Sequence, residues 1–137
     1  MRSFELPWAQ APKADGTTIL RPVVNWVFIG HPVSEEMLVD TGADLSVAPK
    51  RIADRLGLDD SSGDRVTMRG VSQKDECKVE GVVREAEIIV LPAGWRMKVP
   101  VFFADAEVPL LAGRRGFLDK LHLTVNGPRR TIRVGQS

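Results

Sequence analysis

A single cysteine, Cys77, in 137 residues excludes an internal disulfide framework. The two histidines, His31 and His122, lie far apart with no further ligand at metal-binding spacing, so neither a metal nor a cofactor is expected. There is no Gly-x-Ser-x-Gly elbow and no phosphate-cradling glycine loop, which leaves serine-hydrolase and nucleotide-binding readings without support. No apolar run approaches the length of a membrane span. The first residues, Met-Arg-Ser-Phe-Glu-Leu-Pro-Trp, place charge and proline where a leader peptide needs an apolar core. The chain therefore reads as soluble and cytoplasmic, with no membrane partner. Internal repeats and low-complexity segments are also missing.

What remains is the composition of an ordinary globular domain, 43% hydrophobic and 27% charged. By length this is one domain with enough material for a core. The net charge of +1 is unevenly spread, because residues 113–137 carry six basic side chains against Asp119 alone. Such a basic end suits nucleic acid or an acidic partner, but it equally suits a strand edge protected by charge. The second reading is preferred and nucleic acid is not expected. Trp8, Trp26 and Trp95 fall in different segments without interleaved basic residues, as core or interface anchors do.

Along the chain, residues 1–16 mix prolines with Lys13, Asp15 and Gly16 and read as an N-terminal arm, leaving 17–137 as the folded domain. Residues 17–29 are β-branched and aromatic, with Pro22 dividing them into two strands. Gly30-His31-Pro32 turns the chain into a short strand, 36–39, that ends in the apolar run Met37, Leu38 and Val39. Pro49 to Leu58 has apolar residues at helical spacing. Residues 66–81 alternate weakly about a charged tip, as in an exposed hairpin. Two strands, 82–91 and 97–103, flank Pro92-Ala93-Gly94, and a last hairpin turns at Asn126-Gly127-Pro128. The expected fold is mainly β, with one or two short helices.

Residues 38–46, Leu-Val-Asp-Thr-Gly-Ala-Asp-Leu-Ser, carry the most information. An apolar strand delivers Asp40 to a tight turn where Gly42 lets the backbone reverse. A carboxylate at a buried strand end is costly unless it is paired or functional. Taken alone, the triplet also fits an Asx turn closing a strand. A second signature lies late in the chain, where Val108-Pro-Leu-Leu-Ala-Gly-Arg-Arg-Gly-Phe-Leu118 runs an apolar strand into Gly113-Arg114. Together these motifs resemble the retropepsins, the single-lobed, retroviral type of aspartic protease. The resemblance covers about residues 17–134.

The resemblance implies a closed, barrel-like acid-protease fold and an aspartic endopeptidase acting on protein or peptide. Such chemistry needs two carboxylates sharing one proton. The chain has one Asp-Thr/Ser-Gly and no length for a second lobe, so the expected enzyme is a homodimer with an Asp40/Asp40′ dyad. By resemblance, Asp40, Thr41 and Gly42 form the catalytic loop, with the Thr41 hydroxyl bonding across the two-fold axis. Gly42, Ala43 and Asp44 would meet the substrate main chain, and Asp44 would pair with Arg114. Leu45, Val47 and Leu111 match subsite-lining positions, although plain core packing explains them equally. Gly70 and Val71 fall in the hairpin that would close over substrate, a hairpin poor in the glycines usual at retroviral flap tips. That departure keeps open a second reading, a catalytically silent dimerisation or peptide-binding module of the same fold. Ser46 is expected to bond backbone near the loop.

Overall fold

The structure is a computed structural model that describes residues 2–13, 15–58, 63–69 and 78–137. Its centre is β4 (Val23–Phe28), whose period-two pattern buries Val24, Trp26 and Phe28 completely while Asn25 and Val27 stay half-exposed on the opposite face. Pro22, which has no N–H to give to a ladder, separates β4 from β3 (Thr18–Arg21). β5 (Ser34–Val39) pairs antiparallel with β4, setting Val23 against Leu38 and Asn25 against Glu36.

β6 (Ser46–Pro49) follows the Asp40 loop and is buried throughout. It leads directly into α1 (Lys50–Arg55), which buries Ile52 and Ala53 and stops at Gly57, held at φ +70°. β7 (Asp64–Arg69) pairs with the outer part of β8 (Lys78–Leu91), a single strand of 14 residues. β8 pairs along most of its length with β9 (Trp95–Ala104) and at its end with β4. β10 (Leu111–Ala112) is only two residues long but lies between β5 and β6.

The order β4-β5-β10-β6-β9-β8, with β8 returning to β4, closes a six-stranded barrel, and β7 hangs from β8 outside it. The core fills the barrel and the space beneath α1 and the one-turn 3-10 helix Leu118–Lys120. Phe117, fully buried, meets Trp26 edge-on at 4.7 Å between ring centroids. A second apolar cluster of Leu45, Val47, Phe102 and Ala104 lies toward the β7–β8 hairpin.

A separate three-stranded sheet joins β1 (Arg2–Pro7), β12 (Thr131–Gln136) and β11 (His122–Asn126), with β12 in the middle. Residues 1–16, read from sequence as an arm, thus supply β1 and also β2 (Ala9–Pro12), which pairs with β3. Phe4 packs on Trp95 at 5.2 Å and ties this sheet to the barrel. The β2–β3 turn is fixed by Asp15, whose carboxylate accepts from the Thr17 amide at 3.0 Å and hydroxyl at 2.6 Å. Those bonds, the hydroxyl's first, hold the Asp15 carboxyl below its ordinary pKa. Among the described residues no helix is long and apolar enough to cross a membrane.

Ile132 and Val134 of β12 are fully buried in the main core. Deleting residues 127–137 is therefore expected to abolish the cooperative thermal transition, not merely to weaken association between copies. Phe117→Ala should cost about 3–5 kcal/mol, read from the urea midpoint.

Candidate active site

The Asp40 loop is built by three strands that share one short stretch. β10 runs parallel to β5, with Leu111 beside Leu38, and antiparallel to β6, with Leu111 beside Val47. The late apolar segment is thus threaded between the two strands that leave and enter the Asp40 turn. Backbone bonds sew it in place: the Asp40 amide donates to the Ala112 carbonyl at 3.0 Å and the Leu38 amide to the Leu110 carbonyl at 2.9 Å. Beyond the turn, the Arg114 and Arg115 amides donate to the carbonyls of Ala43 and Asp44 at 3.0 and 2.8 Å.

The crossing demands Gly113. A Cβ there would stand 2.5 Å from the Leu45 carbonyl oxygen, closer than any side chain allows. The Gly113 amide is buried and donates to the Ser46 hydroxyl at 2.9 Å. Ser46, itself fully buried, so bonds backbone beside the loop.

Within the turn, the Gly42 amide donates to Oδ1 of Asp40 at 3.0 Å and the Ala43 amide to the Asp40 carbonyl at 3.2 Å. One carboxylate oxygen is thereby oriented while the side chain stays only half-buried. Thr41 and Gly42 are exposed at the tip. Asp40 lines a groove of about 780 Å³ with Leu38, Leu110, Leu111, Val108 and Pro109 along one wall and Gln10, Ala11 and Arg21 of the β2–β3 hairpin along another. Arg51 and Glu107 form an ion pair at its mouth, 3.4 Å apart.

Of the residues expected at the site, Asp40 and Leu111 meet in this groove. Leu45 and Val47 do not line it. They are 8% and 9% exposed and pack with Phe102, Ala104, Val108 and Leu111 toward the hairpin. Gly70 and Val71 lie outside the described residues. Asp44 is engaged by the guanidinium of Arg115, one residue beyond the expected Arg114. The Arg114 side chain is exposed and makes no ion pair among the described residues. Sequence reasoning missed the groove wall formed by Gln10, Ala11 and Arg21, because the β2–β3 pairing has no strong periodic signal.

A closed barrel with a strand threaded behind an Asp-Thr-Gly turn is a retropepsin-like fold. Residues 24–118 match the aspartyl protease family, and the chain belongs to that family. A retropepsin-like aspartic protease from Rickettsia conorii has the same fold, with a TM-score of 0.64 at 16% identity over 98% of this chain and 92% of that one. The EIAV protease, complexed with the inhibitor HBY-793, is 26% identical over 69% of this chain and 82% of its own, with a TM-score of 0.42. No curated protein matches the chain.

Asp44 and Arg115 have side chains 54% and 58% exposed, so Arg115→Ala should cost no more than about 1 kcal/mol. Gly113→Ala, by contrast, forces backbone apart at the crossing and is expected to cost several-fold more. Chemical denaturation of the two variants side by side checks the contrast.

Proposed function

We propose that the protein is an aspartic endopeptidase whose catalytic dyad forms when Asp40 of one copy meets Asp40 of a second. The observation that carries this reading is a single half-buried carboxylate, oriented by the Gly42 amide, on the wall of a groove large enough for peptide side chains. One carboxylate is insufficient for the reaction. Peptide hydrolysis by this route needs one group ionised, to take a proton from water, and one protonated, to donate to the scissile carbonyl. Two carboxyls about 3 Å apart meet both needs, because they cannot both ionise and share a single proton. Water oxygen adds to the carbonyl carbon, and collapse of the tetrahedral adduct passes a proton to the leaving amine.

The exposed Thr41 and Gly42 suit this arrangement. A second loop related by a two-fold axis would cover them, with the Thr41 hydroxyls bonding across the axis. The Gly42 carbonyl is available to accept a substrate amide, and Ala43 and Asp44 would follow along the peptide main chain. Leu111 supplies an apolar wall beside the scissile bond, backed by Leu45 and Val47.

Wild type and Asp40→Asn are to be compared at matched concentrations on a diverse peptide library across acidic to neutral pH. Cleavage is expected to be lost in Asp40→Asn and, in wild type, to fall more steeply than linearly on dilution. Specific activity that is independent of concentration in a monomer would overturn the shared dyad. No cleavage by either protein, with a dimer present in sedimentation, would replace it with a silent binding module.

A further inference from the structure

The groove at Asp40 does not end there. A second cavity of about 470 Å³ adjoins it, and Val23 and Glu36 line both. Strand register explains the continuity. Val23, Leu38 and Leu111 are neighbours across β4, β5 and β10 and form a row on the outer face of the barrel. One pleat repeat away, Leu91, Asn25 and Glu36 form a second row across β8, β4 and β5. The first row lies in the Asp40 cavity and the second in the adjoining one, roofed by Leu6 and Trp8 at the junction of β1 and β2.

The chemistry of this second cavity is one-sided. Among the described residues, Glu36 is its only charged lining residue. It is exposed and makes no ion pair among the described residues. Its neighbour Glu35 points to the other face and is taken by His31 at 3.0 Å. Arg21 lines the Asp40 cavity but not this one. Asn25 and Ser34 add uncharged polar groups, the other lining residues are apolar or aromatic, and the indole N–H of Trp8 is buried without a hydrogen-bond partner among the described residues.

We propose that this second cavity is a distal substrate subsite for a lysine or arginine side chain, lying about four to six residues from the scissile bond. The spacing follows from β5, where Glu36 and Ser34 stand about 13 and 20 Å from Asp40 at the rise of an extended strand. An apolar side chain would cover the Glu36 carboxylate without pairing it, and an acidic one would be repelled. A lysine or arginine lays its aliphatic stem against Leu6, Leu91 and the Trp8 ring and brings its cation to Glu36. The inference rests on the reading that peptide occupies the Asp40 groove, but binding here does not require turnover.

The test uses fluorescein-labelled degenerate peptide pools that fix Arg, norleucine or Glu at one position and randomise the rest. Binding is measured by anisotropy on Asp40→Asn protein, and cleavage on wild type. Arg is expected to exceed norleucine about five-fold in affinity, and in KM more than in kcat, with the preference shrinking as salt rises. Adding Glu36→Gln should bring the ratio to about one, and Glu36→Arg should make Glu the preferred residue. Equal binding of the Arg and norleucine pools, or an Arg preference that survives Glu36→Gln, overturns the subsite. An Arg preference that follows Glu36 in the binding assay, with no cleavage by wild type, sustains the subsite and rejects the protease reading instead.

Discussion

The approach of two backbones at Gly113 and Leu45 is the constraint on which the rest of this structure depends. Because β10 passes between β5 and β6 with no side chain at the crossing, three strands can converge behind one turn. That convergence gives the Asp40 loop a floor of backbone hydrogen bonds instead of a floor of side chains. Main-chain bonds fix position without demanding particular residues, so the turn above them can be short, polar and half-exposed. The loop is held in position by what lies beneath it.

The barrel was largely legible in the sequence, and the reasons are local. Val24, Trp26 and Phe28 alternate with more exposed partners, Pro22 interrupts where no ladder bond can form, and Gly57 ends a helix in the left-handed region. Asp40 was legible because a carboxylate at the end of an apolar strand is out of place unless something uses it. β6 was harder. Its four buried residues include Pro49 and run straight into a helix, so periodicity could not separate strand from helix start. β1 and β2 were hidden by prolines and charges. Their strand character comes from partners more than a hundred residues away in one case, β12, and across a tight turn in the other.

The Asp40 turn was legible in the sequence, and the walls around it were less so. The residues that make the Asp40 turn are adjacent in sequence, so their spacing is visible. The residues that shape the groove come from the β2–β3 hairpin, from β5 and from the segment before β10, and only folding assembles them. The arginine that meets Asp44 shows the same limit at finer scale: the motif pointed to Arg114, while the structure brings Arg115 to Asp44.

The unbroken length of β8 sets the mechanics of the hairpin it carries. From Gly81 onward β8 is laddered to β9, and one step further out the Asp105 amide donates to the Glu80 carbonyl at 2.7 Å. The Arg65 guanidinium, 2.6 Å from the Asp105 carboxylate, clamps β7 at the same level. The described part of the hairpin is therefore a bracket with its root set in the barrel wall. That anchoring is the consequence of one unbroken strand pairing in turn with β7, β9 and β4.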